Sequence, residues 1–173
     1  MLDAEKPRGL DAEESQTKHD RFAVSMNIQV AKTTDLPNIL TLLKAAALPV
    51  AGIENHIETT LVARDSERLL GCAAVEVYGQ AGLLRSVAVE AARRGEGLGE
   101  RLTTAALELA RRRGVRNIYL LTTTASHFFP RFGFTAIPRS ELDPALARSE
   151  ELRGACPASA LAMHASLSIA RLP

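Results

Sequence analysis

The chain has 173 residues, of which 46% are hydrophobic, and its 21 Lys and Arg nearly balance its 20 Asp and Glu. This length favours one globular domain with its own core, and a formal net charge of +1 argues against a nucleic-acid or anionic-membrane partner. The sequence has no apolar run of membrane-spanning length, its first residues lack the short apolar core typical of a signal peptide, and its two Cys lack metal-ligand spacing. We therefore expect a cytoplasmic protein that binds a small molecule and needs no metal.

The first 26 residues differ in composition from the rest of the chain. They contain six acidic and four basic side chains and few large apolar ones. Such a segment cannot bury enough apolar surface to offset the entropy that it loses on ordering. The composition therefore predicts a mobile polar extension over residues 1–26 and a single domain over residues 27–173.

The first half of the domain shows the patterns of strands and short helices. Alternating apolar residues at Ile28 and Val30 predict a strand, and Asp35 stands where it would cap a helix over residues 36–43. Cys72 lies inside a later apolar run, which predicts a buried thiol. The other elements predicted here are a short helix at 53–57, strands at 60–64, 69–78 and 83–89, and turns at 65–68 and 79–82.

The second half begins with an amphipathic helix over residues 98–110. Arg111, Arg112 and Arg113 follow at its C-terminus, where cations suit the helix dipole, and Gly114 ends it. The remaining predicted elements are a strand at 117–122, a short helix at 125–132 and strands at 133–137 and 160–167. This succession predicts an α+β fold, a mixed and mostly antiparallel sheet of six to seven strands with helices on both faces.

A glycine-rich turn is the sharpest local feature. Arg93-Arg94-Gly95-Glu96-Gly97-Leu98-Gly99 follows the strand Val87-Ala88-Val89 and opens the long helix. Neither GxxxxGKS, GxxxxGKT nor a dinucleotide-binding GxGxxG is present. Closely spaced glycines let the backbone approach a ligand, and the first helical turn offers unpaired N–H groups. With two arginines beside it, the turn indicates a phosphate site, although the same glycines would also make a plain strand-to-helix turn.

The order of these parts resembles a known enzyme family. Arg94-x-x-Gly97-x-Gly99 after an apolar strand, followed by Phe128-Phe129-Pro130-Arg131-Phe132-Gly133-Phe134, resembles the GNAT superfamily of N-acetyltransferases. The resemblance spans residues 27–167 and implies the GNAT fold with acetyl-CoA as co-substrate. Family members often dimerise through their C-terminal strands, so the resemblance also allows a homodimer.

A narrower likeness concerns the acceptor. The runs at 120–125, 128–134 and 156–163 look like those of the small arsenic-resistance N-acetyltransferases and, more distantly, the acetyltransferase domain of N-acetylglutamate synthase. This likeness implies acetyl transfer to the α-amino group of a small amino acid or of an arsenic- or phosphorus-containing analogue. The reaction would be direct attack on the thioester in a ternary complex.

The family likeness also implies which residues bind the cofactor. The backbone N–H groups of the glycine-rich turn would hold the pyrophosphate, the strand before it would pair with the pantetheine arm, and Val87 N–H would act catalytically as the donor to the thioester carbonyl. Phe129 stands where many members have a proton-donating Tyr. The cofactor-binding residues expected on this basis are Val87, Ala88, Val89, Arg94, Gly95, Glu96, Gly97, Leu98, Gly99, Glu100 and Phe129.

Two charged residues on predicted strands are candidates for the chemistry itself. Glu76 lies between two apolar neighbours, so it is either the catalytic base in the site or a solvent-facing carboxylate. Arg85 shares the period-2 face of Leu83, Val87 and Val89, where it would grip an anionic group of the substrate. The alternative is a cation on the sheet surface.

Polar side chains follow the strand predicted at 117–122. Thr122 and Thr123 are candidates for binding the substrate, with a strand end and helix cap as the alternative. His127 is more typical of a surface or capping residue than of a catalyst. Two further functions stay open, an acetyl-CoA sensor without catalysis, which Phe129 favours, and a protein N-terminal acetyltransferase with an open acidic groove.

Overall fold

The computed structural model describes residues 26–167, and within that range seven strands form one mixed sheet. The extension predicted over residues 1–26 lies outside the described residues, apart from Met26, which begins the first strand. The strands lie in the order β1-β2-β3-β4-β5-β7-β6, so the predicted sheet is confirmed. They are β1 (Met26–Val30), β2 (Thr60–Asp65), β3 (Arg68–Tyr78), β4 (Ala81–Val89), β5 (Asn117–Thr122), β6 (Thr135–Ile137) and β7 (Leu161–Ser166).

Two α-helices cover opposite faces of this sheet, which confirms the layered arrangement. They are α1 (Leu36–Ala45) and α2 (Leu98–Arg112). Helix α1 buries Ile39 and Leu43 against a cluster that includes Cys72, and that thiol is fully buried as predicted. Helix α2 packs Leu102 against the other face, together with Leu84 of β4. Among the described helices, none is long and apolar enough to cross a membrane.

Short helical turns make up most of the connections. Their 3₁₀ segments are Thr33–Asp35, Ile53–Thr59, Ala91–Arg93, Phe129–Phe132, Arg139–Glu141 and Pro144–Arg148, and a π-type turn spans Glu151–Ala155. The last three lie between β6 and β7, in a stretch for which the sequence predicts no element. They pack Leu146 against Leu83 of β4 and Tyr119 of β5.

The sheet opens between its two central strands. β4 and β5 are the parallel pair, and their pairing extends only over residues 81–83 and 117–119. Beyond these pairs, a cavity lies between residues 84–87 of β4 and 120–122 of β5. A ligand can therefore enter where the two strands part.

A β-bulge in β4 changes which side chains share a face. Ala74 and Cys72 of β3, two residues apart, pair with Arg85 and Ala88 of β4, which are three residues apart. Ser86 lies in this bulge with φ of +56°, a conformation uncommon for a residue with a side chain. One extra residue reverses the alternation of every side chain beyond it.

The predicted face of Arg85 is therefore wrong in part. Leu83 does share a face with Arg85, because no bulge separates the two. Val87 and Val89 lie after the bulge and pack toward the α2 side instead. Simple period-2 counting failed because a bulge leaves no reliable mark in the residue types.

Two predictions about helix ends are also wrong. Asp35 does not cap α1, because it has helical backbone angles and its carboxylate accepts the Lys32 N–H at 2.8 Å and pairs with Arg64 of β2. The helix predicted over 125–132 is only the 3₁₀ turn Phe129–Phe132. Pro130 has no N–H to continue a helix that began at residue 125.

Candidate active site

Two connected cavities lie where β4 and β5 part. The outer cleft, about 510 Å³, is lined by residues that include Val87, Val89, His127 and Phe129. The inner cavity, about 570 Å³, lies between the loop at 46–49, β4, β5 and a C-terminal segment that contributes Glu151. Val87, Val89 and Phe129 line both, so the two spaces meet beside the bulge.

The glycine-rich turn forms a hollow at the mouth of the outer cleft. Gly95 and Gly97 have φ of +80° and +79°, which favour glycine. A Cβ at either position would meet no atom within 4 Å, so the turn is open to a ligand. Gly97 precedes α2, and the N–H groups from Leu98 to Glu100 belong to its first turn, where helical N–H groups lack intrahelical partners. The hollow therefore suits an anion.

Two arginines set the charge at this hollow. Arg94 donates its Nε–H to the carbonyl of Val89 at 3.2 Å, which holds its guanidinium beside the turn. Arg131 stacks on the Phe128 ring, with Cζ 4.8 Å from the centroid, and pairs with Glu100. The hollow thus combines helix N–H groups with two guanidinium groups, a set of donors that suits a diphosphate.

The bulge in β4 frees backbone at the junction of the two cavities. The residues between Arg85 and Ala88 outnumber the single β3 residue opposite them, so Val87 has no partner in the β3 register. Val87 also lines both cavities. The role of the Val87 N–H as a donor to a thioester carbonyl stays a prediction.

The phenylalanines at 128–134 form part of the core and of the cleft wall. Phe129 and Phe134 are buried, with ring centroids 5.9 Å apart. Phe128 packs on Phe129 at 5.1 Å and lines the outer cleft. Phe129 itself faces both cavities, and its ring supplies no proton donor there.

Arg85 is a buried side chain whose hydrogen bonds are largely satisfied. Its Nη1 donates to Glu76 Oε1 at 2.7 Å, and its Nε lies 3.2 Å from Ser86 Oγ and 3.3 Å from Glu151 Oε1. Its Nη2 makes only a 3.4 Å contact with the carbonyl of Pro49. The alternative of a cation on the sheet surface is therefore wrong. Arg85 lines the inner cavity, flanked by two carboxylates.

Glu76 is completely buried, so the solvent-facing alternative is wrong for it too. Burial alone would raise the pKa of this carboxyl, but hydrogen bonds from Tyr78, Arg85 and Ser149 outweigh it and leave the pKa below its ordinary value. Tyr78 donates its hydroxyl to Glu76 at 2.5 Å. Glu76 is not among the residues that line the two cavities. These facts argue against Glu76 as the base.

Glu151 is a site residue that the sequence analysis missed. It begins the turn Glu151–Ala155, is 4% exposed and lines the inner cavity. Burial and the charge of Glu76 raise its pKa to about 7, although Arg85 acts in the opposite direction. The acidic pair Glu150-Glu151 was the only signal in the sequence, and it lies in a stretch without helical or strand periodicity.

The remaining predicted residues divide between cavity and scaffold. Thr122 accepts the N–H of Ala125 at 2.9 Å, which fits the strand-end alternative, but it also lines the inner cavity, as does the exposed Thr123. The side chain of Ala88 packs in the core beside α1, and Glu96 pairs with Arg93 at 3.0 Å. His127 is exposed, lines the outer cleft and does not lie in a helix.

A family model described as the acetyltransferase (GNAT) domain matches residues 56–136. This span includes β2 to β5 and the first two residues of β6, and with them the bulge, the glycine-rich turn and the aromatic turn. The match therefore covers the segments that build the outer cleft. Glu151 lies outside it.

Relatives of known name are also similar to the chain. The amino-acid acetyltransferase of Neisseria meningitidis serogroup B (strain ATCC BAA-335 / MC58) is 29% identical over 128 residues, which cover 68% of this chain and 29% of that protein. The same figures hold for the amino-acid acetyltransferase of the serogroup A strain DSM 15465 / Z2491. The chain thus matches less than a third of the length of these relatives.

Two solved structures share the fold. N-acetylglutamate synthase from Neisseria gonorrhoeae, complexed with coenzyme A and N-acetyl-glutamate, superposes with a TM-score of 0.72 at 24% identity, over 83% of this chain and 35% of that one. Rv2747 from Mycobacterium tuberculosis, in complex with CoA and NLQ, gives 0.66 at 23% identity, over 82% of this chain and 99% of that one.

Proposed function

We propose that this chain transfers acetyl from acetyl-CoA to the α-amino group of a small amino acid. The match of residues 56–136 to the acetyltransferase (GNAT) domain and the fold shared with N-acetylglutamate synthase support this proposal. The observation that carries this proposal is the junction where Val87 and Phe129 line both the outer cleft and the inner cavity. A thioester in the cleft would meet an amine held in the cavity at this point. Direct attack then needs no covalent enzyme intermediate.

We assign the cofactor to the glycine-rich turn and the end of β4. The N–H groups that follow Gly97 would hold the pyrophosphate, and Arg94 and Arg131 would add charge at its rim. The pantetheine arm would pair with the backbone of residues 87–89 as an added strand does. Support comes from the open space at both positive-φ glycines.

The Val87 N–H is the proposed donor to the thioester oxygen. The bulge leaves Val87 without a β3 partner in the strand register, and the residue lies at the junction of the cavities. A well-placed donor to a developing oxyanion is worth roughly 3 kcal/mol of barrier height. Such a donor matters more here because Phe129 offers no acid to the departing thiolate.

The acceptor class follows from the charges in the inner cavity. An α-amino acid carries an ammonium and a carboxylate, which match the carboxylate of Glu151 and the guanidinium of Arg85, 3.3 Å apart. The long contact of Nη2 with Pro49 leaves that edge of Arg85 able to receive a substrate anion. We assign Glu76 to positioning Arg85, and Thr123 to the cavity wall beside the substrate.

Release of free thiol tests this proposal. Acetyl-CoA is mixed with the protein and with glutamate, arsenic- or phosphorus-containing glutamate analogues, or simple amino acids, and the acetylated product is identified by mass spectrometry. We expect thiol release that depends on one subset of these amines. Acetyl-CoA binding without thiol release for any amine would contradict the proposal and favour the sensor, the alternative that Phe129 supports.

The same panel tests the alternative of a protein N-terminal acetyltransferase. Such an enzyme would acetylate peptides in preference to free amino acids. The inner cavity is walled on several sides by residues 46–49 and 155–157, so we expect free amino acids to be the better acceptors.

The homodimer through the C-terminal strands stays a prediction. Sedimentation at assay concentration checks it.

A further inference from the structure

We propose that Glu151 is the general base that takes the proton from the acceptor ammonium. The proposal rests on the proposed acetyl transfer and names the group that makes it possible at neutral pH. It starts from a chemical requirement, because an ammonium has no lone pair with which to attack a thioester. The base must therefore lie in the cavity that holds the amine.

The local fold directs the Glu151 carboxylate at that cavity. Glu151 lies at the start of a π-type turn, after the 3₁₀ turn Pro144–Arg148, and its N–H donates to Ser149 Oγ at 3.2 Å. Its Oε1 lies 3.3 Å from Arg85 Nε. The carboxylate is thus held on one side by a guanidinium while the residue lines the inner cavity.

The titratable and charged groups around Glu151 and Glu76 come from four parts of the chain. Arg85 on β4 favours its ionised form, whereas Glu76 on β3 and the loss of solvent favour its protonated form, and the balance gives a pKa of about 7. Cys156 follows the turn, and burial together with the charge of Glu151 raises the pKa of this thiol. His56 lies beside Glu76, and burial lowers its pKa, which favours its neutral form.

The two buried carboxylates of the cluster are therefore different in kind. Glu76 receives hydrogen bonds from Tyr78 and Arg85 and has a lowered pKa. Glu151 has a pKa that permits it to gain and lose a proton near neutrality. Active sites commonly set the acid-base roles of two carboxylates by environments that push their pKa values apart.

Glu151 is the only group of the protein that the proton transfers of this reaction require. One N–H bond of the ammonium breaks and its proton goes to Oε of Glu151, which leaves a neutral amine with a free lone pair. That lone pair forms the N–C bond as the C–S bond of the thioester breaks. The nitrogen sheds a second proton on becoming an amide, the thiolate takes it, and Glu151 returns its proton to solvent. Phe129 therefore needs no replacement acid.

Other groups in the two cavities serve this purpose less well. His127 lines the outer cleft but not the inner cavity and is exposed. Cys156 lines the inner cavity with a raised pKa, so it stays a thiol at neutral pH. Among the described residues that line the inner cavity, Glu151 is the only carboxylate.

The test compares Glu151→Gln with Glu150→Gln across a range of pH. Glu150 is the adjacent residue with a half-exposed side chain, so it controls for any general effect of the substitution. For the unchanged protein and for Glu150→Gln, kcat rises with pH through a value near 7 and then levels. For Glu151→Gln, kcat at pH 7 falls by roughly 10²–10⁴-fold. That deficit shrinks as the pH approaches the pKa of the amine, while the Kd for acetyl-CoA stays unchanged.

If Glu151→Gln does not fold, a second variant can still test the proposal. Glu151→Asp retains a carboxylate on a shorter side chain, so its kcat falls while the rise with pH remains. Wild-type turnover with an unaltered pH profile in Glu151→Gln would overturn this inference alone, as would loss of the profile in His127→Gln. No amine-dependent turnover by the unchanged protein would overturn the proposed function, and this inference with it.

Discussion

The two halves of the site are built from different parts of the polypeptide. The glycine-rich turn and the end of β4 offer mainly backbone N–H groups. Every residue except Pro has such a group, so most substitutions there would not remove the donor. The inner cavity depends on side chains instead. The guanidinium of Arg85 forms ion pairs with the carboxylates of Glu76 and Glu151, and the three residues come from three separate segments. A substitution in the first half should therefore change the backbone angle φ or block the ligand's access to the turn. A substitution in the second half should change the balance of charge in the inner cavity.

The largest effect is expected from Glu76→Ala. It removes the closest partner of the buried Arg85, and breaking a buried ion pair typically destabilises by roughly 3 kcal/mol or more. Glu100→Ala is the matched control, because it removes the carboxylate partner of Arg131 at the half-exposed rim of the other half, where under about 1 kcal/mol is expected. Denaturant unfolding measures both. Equal losses would contradict the contrast between the halves.

Stability should also depend on pH through Glu151. Folding raises the pKa of Glu151 from 4.5 to about 7, so the favourable contribution of its proton is complete below 4.5 and is lost as the pH rises through 7. Glu151→Gln should then be more stable than the unchanged protein by roughly 3 kcal/mol at pH 8, and equal to it near pH 4. Chemical unfolding across this range checks the sign. A constant difference would exclude the raised pKa.

In the backbone half, Gly97→Ala should weaken cofactor binding. A residue with a Cβ at φ of +79° is strained by roughly 1–2 kcal/mol, and the methyl group would stand in the open hollow. Gly114→Ala is the control, with φ of +87° and equally open space at the far end of α2. Both variants should lose similar stability. Calorimetry should show a raised Kd for acetyl-CoA in Gly97→Ala alone.

The smallest effect is expected from the exposed arginine at the turn. Arg94→Ala should raise the Kd for acetyl-CoA by a few-fold, less as salt is added, because screened surface charges contribute up to about 1 kcal/mol. Arg112→Ala, at the C-terminal end of α2, should leave the Kd unchanged. A larger loss of acetyl-CoA affinity in Arg94→Ala than in Gly97→Ala would mean that side chains, rather than backbone N–H groups, bind the cofactor.

The contrast between the halves also explains what could be predicted from the sequence. The glycine-rich turn lies within one continuous segment, and its glycine spacing reflects the backbone angles that the turn needs. The strands and α2 follow from apolar periodicity, and the cluster of phenylalanines at 128–134 falls at the cleft wall. These features are local, so residue types record them.

The charge cluster could not be predicted in the same way. Alternation placed Arg85 on the face of Val87, but the bulge at Ser86 reversed the pattern. Glu76 carried no mark of its partners, because Tyr78 and Arg85 meet it only once β3 and β4 pair. Glu151 reaches the cavity through turns that have no periodicity. Position in the fold, rather than residue type, brings these groups together.

One comparison tests most directly whether the inner cavity is built for an amino acid. The rate constant kcat/KM is measured for the best acceptor of the panel and for the same compound with its α-carboxylate converted to a carboxamide. If Arg85 and Glu151 receive the two charges of the acceptor, the carboxamide should be poorer by roughly tenfold or more. Equal values for the two compounds would contradict this account of the site.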